Sequence, residues 1–413
     1  MTPALGDDAL AKSARVIGAG LSGLAAAHHL IDRGFSVTIS DRSSRAGGFL
    51  NTIETPHGLV ETGANAFVWD KVVAAWFKRL DVEPVFPLDS SARRYIFRDG
   101  RPRRWPLSLA ESIGMGARLG GAALTRSMGA RPGESMARWG DRVIGAAARE
   151  WLLEPAMQGI YAAPAAELSA AAIFGGRKRG RRRLVAPRRG MGQLIERLAQ
   201  QLRDRGARFE FNCHLDRVDP GAPTVIATDA VSAARLVAPH APRLSEQLAA
   251  VRLAPLVTAT MFFAPARGDV RGFGVLFPRQ SGVRALGVLF NGDIFEGRAS
   301  GRSETWIVGD RGEALTSHDD GALRLMLAED RRRLTGRDAD PLSTYITRWP
   351  AAIPVYDDTI LAVKNELPSL PPWLALTGNY LGKIGVAALL DLAAAAARKV
   401  SATNPSQGAI MRS

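Results

Sequence analysis

The chain has 413 residues, 46% of them apolar, with 54 basic against 40 acidic side chains and a formal net charge of +14. That length and apolar fraction predict two or three domains around a large core and exclude a disordered polyelectrolyte. The single cysteine, Cys213, excludes an internal disulfide and fits a reducing compartment. It reads as a buried strand residue rather than a reactive thiol. No uncharged apolar run reaches the ~20 residues of a membrane span, and the longest, 253–266, reads as a core strand. The first twelve residues are polar and carry Asp7 and Asp8, which is not a secretory pattern, so the expected compartment is the cytoplasm.

Residues 1–13 read as a disordered leader. The chain then gives a buried strand from residue 14, the turn Gly18-x-Gly20-x-x-Gly23, and a helix running to about Asp32, stopped by Gly34. A second strand, 35–40, ends at Asp41. Each residue type has a physical job in a βαβ dinucleotide fingerprint. Gly18 allows the tight turn, Gly20 lets backbone approach a pyrophosphate, and Gly23 lets helix and strand pack closely. With Ala19, Leu21 and Ser22 they form a turn whose helix N-terminus offers N–H groups and positive potential to phosphate. Asp41 stands where the ribose-binding acid belongs, about 20 residues on. Arg42, Arg45, Gly47 and Gly48 follow at once, and arginines with backbone N–H groups suit the second phosphate side. His28 and His29 are adjacent on the helix, do not face each other, and read as surface and packing residues rather than ligands.

Further along, 58–67 reads as a strand end and turn, and 72–80 as an amphipathic helix. Residues 93–106 read as a hairpin turning at Asp99-Gly100. Residues 108–180 are alanine-rich and helical; Gly114-Met-Gly116 follows no strand and is no nucleotide site. Eight cations crowd between Arg177 and Arg189. They read as a solvated basic loop or as a contact to an anionic membrane surface. Nucleic acid is set aside, because no aromatic-interleaved basic face accompanies them. Then come a helix at 190–202, a strand-pair region at 208–218 and a buried strand at 223–227. Within a β-rich stretch at 251–350, strands are expected at 256–263, 274–277, 283–290 and 304–308, with a helix at about 320–334. A strand runs into a turn at 373–380, and the last helix spans 385–397.

The nucleotide-binding start is not completed by the next 120 or so residues; its missing parts return much later. The fold class is therefore α/β: a Rossmann-like dinucleotide-binding domain from 14–80, 185–250 and 370–398. Into it are inserted a mixed α+β substrate domain (81–107 and 251–369) and a helical subdomain (108–184). A tail, 399–413, reads as disordered. With a flavin, the terminal helix would set a positive end against the isoalloxazine. No second fingerprint exists for NADPH, which points to an enzyme reduced by its substrate. No Ser-His-Asp pattern and no metal-spaced His/Cys cluster offers another mechanism.

The motifs resemble flavin-dependent oxidases of the protoporphyrinogen oxidase type, within the amine-oxidase-like GR2-type flavoproteins, over about residues 14–398. The carrying stretches are Glu154-Pro-Ala-Met-Gln-Gly-Ile-Tyr-Ala-Ala163 with Glu167-Leu-Ser169, Gly272-Phe-Gly-Val-Leu-Phe-Pro278, and Leu286-Gly-Val-Leu-Phe-Asn-Gly-Asp-Ile-Phe295. Arg348-Trp-Pro-Ala-Ala-Ile-Pro354 and Gly378-Asn-Tyr-Leu381 complete the order. The resemblance implies an FAD enzyme of haem biosynthesis that oxidises a porphyrinogen (protoporphyrinogen IX or coproporphyrinogen III) to the porphyrin. Hydride would pass from a bridging carbon to flavin N5, with dioxygen as acceptor. It implies that Arg94 pairs a substrate propionate and that Gly274 and Leu276 line the tetrapyrrole pocket. It places Leu215 on the adenine side, and Gly63, Ala64, Asn65, Ala66, Trp349, Gly378, Asn379, Ile384, Gly385 and Val386 along the rest of the cofactor. It also implies a peripheral membrane contact for 108–184, and it admits a homodimer.

Five features depart from the family. Lys383 replaces a glycine beside the flavin, Asp391-Leu392 replaces Ser-Gly in the last helix, and Phe49 replaces a basic residue. The stretches 168–187 and 218–223 are abridged. An amine- or polyene-oxidising relative, and a flavin-binding relative without activity, remain alternatives.

Overall fold

The computed structural model describes residues 12–175, 183–310 and 312–402. The chain begins β1 (Ser13–Ile17), α1 (Leu21–Ile31), β2 (Ser36–Ser40), β3 (Thr52–Thr55), β4 (Gly58–Glu61), β5 (Phe67–Val68), α2 (Lys71–Arg79), β6 (Pro84–Val85), β7 (Arg94–Arg98) and β8 (Arg101–Arg103). A helical run follows: α3 (Leu109–Leu124), α4 (Met136–Val143), α5 (Ala146–Ala148), α6 (Glu154–Tyr161) and α7 (Ala170–Phe174). Next come β9 (Leu184–Pro187), α8 (Met191–Asp204), β10 (Arg208–Glu210), β11 (Thr224–Ile226), α9 (Ala230–Val237), α10 (Pro242–Ala249) and β12 (Leu253–Phe263). The remainder is β13 (Gly274–Leu276), β14 (Gly287–Phe290), α11 (Asn291–Ile294), β15 (Arg302–Gly309), α12 (Asp320–Thr335), β16 (Ser343–Pro354), α13 (Asp358–Glu366), β17 (Leu374–Leu376) and α14 (Val386–Ser401).

Two sheets position the site. The first is parallel, in the order β10-β2-β1-β11-β17, so three of its strands come from beyond residue 200. Small residues explain how α1 lies on it: Ala25, Ala26 and Ala27 are fully buried, and a Cβ on Gly23 would sit 1.8 Å from the Gly18 carbonyl oxygen. α14 packs beside α1 in the same apolar core, through Leu390, Ala393 and Ala397. The second sheet has seven strands, β16-β12-β15-β14-β13-β7-β8. All its pairings are antiparallel except β13 with β7. One of its faces buries Phe97, Phe277, Trp306 and Val308, with Phe277 stacked on Trp306 at 5.6 Å. β7 and β8 form the expected hairpin. Asp99 and Gly100 both take positive φ, 53° and 71°, the geometry a two-residue turn of matching twist requires.

Several expectations are corrected. β1 begins at Ser13, inside the presumed leader, because Ser13 pairs with Ser36; residues 1–11 lie outside the described part. The strand pair at 208–218 is one short strand, β10. Asn212 then takes φ 54°, which breaks extended geometry. Cys213 is half-buried in that loop rather than in a strand, and its N–H donates to the Asp41 carbonyl. The strand expected from 283 begins only at Gly287. β16 was unforeseen because its two prolines, Pro350 and Pro354, argue against a strand interior. Among the described residues it pairs only with β12, and an edge tolerates them. The tail reading fails at its start: α14 runs to Ser401, anchored by fully buried Val400. Residues 403–413 lie outside the described part.

Of the arginine run, 176–182 also lie outside it. Arg183 stacks over Phe86 at 3.8 Å, Arg188 pairs with Glu83 at 2.5 Å and Arg189 with Glu54 at 2.7 Å. α3 stands apart. Its N-terminus carries a Ser108/Glu111 capping box, yet of its residues only Ala122 is buried. Among the described residues no helix is long and apolar enough to cross a membrane.

Candidate active site

The carboxyl ends of β1, β2, β11 and β17 lie along one edge of the parallel sheet, the edge at which open α/β sheets bind ligands. The fingerprint turn crosses it. Gly18 takes φ 106°, and a Cβ there would sit 2.5 Å from the Ala227 carbonyl oxygen. Gly20 is different: its backbone is ordinary (φ −73°, ψ 177°), and a Cβ would meet nothing within 4 Å. The outer side of the turn is therefore open. Ala19 is buried, and Leu21, Ser22 and Gly23 form the first turn of α1, which has neither a side-chain cap nor an acidic residue there.

α2, α3, α4, α9, α12 and α13 all carry Ser or Asp caps. α8 begins on uncapped Gly190, but Glu61 and Thr52 accept from Met191 and Gly192 N–H. α14 repeats the α1 pattern, starting after exposed Gly385 with no side-chain cap. Its neighbours at that end, Ile384 and Val386, are half-buried apolar residues. Two uncapped helix N-termini following parallel strands make a cradle for an extended anionic group.

Asp41 closes the turn. Its Oδ2 accepts from Ala19 N–H at 2.6 Å and its Oδ1 from Ser43 N–H at 2.7 Å. A carboxylate has about four acceptor sites, so capacity remains for a hydroxyl. Gly47 N–H donates to the Ala19 carbonyl at 2.9 Å, and a Cβ on Gly48 would lie 3.5 Å from Gly20 Cα, which lays this loop against the turn. Arg42 reaches Asp229 at 3.7 Å, Arg45 folds onto the Ala46 carbonyl, and Leu215 is half-buried on the core beneath β11.

The chain from β4 links the two sheets. The Thr62 carbonyl accepts from Trp349 Nε1 at 2.6 Å and from Thr258 Oγ1 at 2.9 Å. Gly63 is required next: a Cβ there would sit 2.3 Å from the Phe49 carbonyl oxygen, which also accepts from Ala64 N–H. Asn65 Nδ2 donates to the Gly63 carbonyl, and Ala66 is half-buried. Phe49 packs edge-to-face on Trp349 at 4.9 Å. Behind them Glu61 and Arg298 form a buried pair at 2.8 Å. Burial pushes the Glu61 carboxyl up and the Arg298 guanidinium down, each opposed by its partner. In the loop before α14, the Tyr356 hydroxyl donates to the Asn379 carbonyl. Gly378 leaves room for the buried Tyr380 ring, and Lys383 is half-buried beside Gly382 (φ 80°).

Strand alternation gives the seven-stranded sheet a second, half-open face. Arg94 lies opposite Gly274, Leu276 opposite both Ile96 and Gly287, Leu289 opposite Gly274, and Ile307 opposite Gly287. Leu276, Leu289, Ile96 and Ile307 are each half-buried. The two glycines keep the floor low; a Cβ on Gly274 would strike the Val288 carbonyl oxygen at 2.1 Å. Arg94 is exposed and stacks on the Phe273 ring at 4.4 Å, with no acidic partner among the described residues. Four residues along the same strand, Arg98 stacks on Trp151 but is neutralised by Glu111 through contacts of 2.8 and 3.0 Å. Bonds from Arg98 and from Ser108 hold the Glu111 carboxyl down at about 2. The face is thus apolar with one uncompensated guanidinium at its edge. Ile96, Leu289, Ile307 and Phe273 escaped sequence reasoning. Alternation on each strand was a signal, but which strands adjoin was not readable.

A sequence profile described as flavin containing amine oxidoreductase matches residues 21–358. Protoporphyrinogen oxidase 2 of Arabidopsis thaliana is 24% identical, covering 91% of each chain. Coproporphyrinogen III oxidase of Mycobacterium bovis is 27% identical, covering 93% of this chain and 96% of its own. Among solved structures, a candidate protoporphyrinogen oxidase from Exiguobacterium sp. 255-15 superposes with a TM-score of 0.81 at 19% identity, covering 94% of this chain and 98% of that one.

Proposed function

The chain belongs to the flavin-containing amine oxidoreductases and uses FAD, and we propose that its substrate is a porphyrinogen, oxidised to the porphyrin with dioxygen as the final acceptor. The observation that carries this reading is the half-open apolar face ending at Arg94. A tetrapyrrole is a broad apolar ring with carboxylates at its rim. A guanidinium held over the Phe273 ring suits a bidentate carboxylate contact, and the aliphatic floor buries the tetrapyrrole.

The open side of Gly20 and the uncapped α1 and α14 fit a long dinucleotide. The backbone of Gly18 to Gly23 would hold the pyrophosphate, Asp41 the ribose, Arg42, Arg45, Gly47 and Gly48 the second phosphate side, and Leu215 the adenine side. Gly63 to Ala66, Trp349 and the 378–386 loop would hold the flavin end. When bound, FAD supplies the two-electron acceptor for the C–H oxidation. The protein's part is orientation and exclusion of water, and no side chain among the described residues is assigned as acid or base. Anaerobic mixing with protoporphyrinogen IX or coproporphyrinogen III should bleach the flavin band; no bleaching with either refutes the reading. One observation favours a second substrate class: the pair of exposed Phe49 and half-buried Trp349 could receive an amine cation. Bleaching by a primary amine alone would select it.

The helical run supplies a surface for a peripheral membrane contact. Leu109, Ile113, Gly116, Gly120 and Leu124 share one face of α3, with Leu109 79%, Ile113 64% and Leu124 87% exposed. Trp105 is exposed just before it, and exposed Arg101, Arg104, Arg118 and Arg126 flank it. Apolar face, interfacial tryptophan and flanking cations are what an in-plane helix on anionic lipid requires.

A further inference from the structure

We propose that Asp293 is a positioning residue for the carboxylate contact at Arg94; the inference rests on the porphyrinogen reading of that face. Asp293 lies in the short helix α11 and is 4% exposed. Its side chain accepts from Gly272 N–H at 2.9 Å and pairs with Arg271 at 2.5 Å and Arg302 at 3.4 Å. Gly272 is the residue that presses the chain against β7: it takes φ 153°, and a Cβ there would sit 2.4 Å from the Arg93 carbonyl oxygen. Next in sequence, Phe273 N–H donates to that same carbonyl at 2.8 Å, and the Phe273 ring carries the Arg94 guanidinium.

The same four-residue helix holds the other strand. Ser90 Oγ donates to the Asp293 carbonyl at 2.8 Å, and Leu88 N–H donates to the Ile294 carbonyl at 2.9 Å. α11 is thereby tied both to the segment entering β7 and to the segment entering β13. These two strands pair in parallel, with no hairpin between them to fix their register. A slip of one residue would turn Arg94 to the opposite face. Asp293 sets that register and the Phe273 platform with it. The role differs from bulk stabilisation. Asp330, also fully buried, accepts two backbone N–H bonds, from Arg284 and Ala285, and touches neither lead segment.

The test measures binding of protoporphyrin IX and of its dimethyl ester to the FAD-loaded protein by porphyrin absorbance. Wild type should bind the diacid about 10- to 100-fold tighter than the ester, the worth of a charged hydrogen bond. Arg94→Ala should remove that preference, Asp293→Asn should remove most of it, and Ser90→Ala, which cuts only the second tie, should reduce it several-fold. Asp330→Asn should lower Tm and keep the wild-type ratio. A wild-type ratio in folded Asp293→Asn overturns the inference, as does one in Ser90→Ala should Asp293→Asn not fold. Equal binding of acid and ester by wild type removes the Arg94 contact itself, and the porphyrinogen reading fails with it.

Discussion

Gly20→Ala separates a glycine kept for the ligand from one kept for the fold. At Gly20 the backbone lies in a region any residue adopts, and the added methyl meets no protein atom within 4 Å. Reduced freedom of the unfolded chain should favour the variant by about 0.4–1 kcal/mol. The poorer helix N-cap should cost a similar amount. The apoprotein should therefore melt within about 2–4 °C of wild type, the shift expected for ~1 kcal/mol in a sizeable domain. The methyl does occupy the open side of the turn, where the phosphate must approach. Displacing one charge-assisted N–H bond removes about 1.5–3 kcal/mol, or roughly 10- to 100-fold in FAD affinity. Gly23→Ala should behave in the opposite way. Its Cβ would sit 1.8 Å from a backbone oxygen, and relief requires helix α1 to move, so folding itself should suffer. The assay is FAD titration of apoprotein by flavin fluorescence, with thermal melting of the same samples. Wild-type FAD affinity in Gly20→Ala, or a large fall in its apoprotein Tm, would refute the reasoning.

Arg94→Ala should raise KM for a porphyrinogen about 10- to 100-fold with Tm unchanged, because the residue is exposed; Arg94→Lys should recover part of the loss, lacking the planar fork. Steady-state kinetics with coproporphyrinogen III and protoporphyrinogen IX check it. His28 should make the fold acid-labile. Burial, with Arg79, Arg205 and His29 beside it, drives its pKa from 6.5 to about 4, against the pull of Asp32. A depressed folded pKa means the unfolded chain binds the extra proton, so stability is present above pH ~6.5 and is lost as pH falls toward ~4. The loss should reach about 3 kcal/mol, and His28→Gln should flatten that limb in urea titrations across the window. The paired change Leu109→Glu with Ile113→Glu should abolish co-sedimentation with anionic vesicles while sparing flavin content; retained binding would move the membrane contact elsewhere.

The fingerprint was legible because its physics is local. Gly18, Gly20 and Gly23 act on one another and on Asp41 within about 30 residues, the span of one βαβ unit. The β7–β8 hairpin was legible for the same reason, since Asp99-Gly100 carries its own backbone preference. The region around Cys213 misled. Its apolar and polar residues alternate like a strand, but the local turn at Asn212 and the bond to Asp41 outweigh that weak propensity. β16 was obscured by prolines that only its edge position makes harmless.

The sequence by itself determined a dinucleotide turn, a turn leading into a terminal helix and an arginine on a hairpin, since short-range sterics and hydrogen bonding decide each. Only the tertiary structure decided what Arg94 stands beside. Gly274 lies about 180 residues further along, and the parallel pairing that joins them has no turn to announce it. That register comes from contacts made by a third element, the four residues of α11, and from a core that fills one face of the sheet and leaves the other half open. Contacts so distant along the chain leave no periodic mark in it, because loop-closure entropy must be overcome before they form.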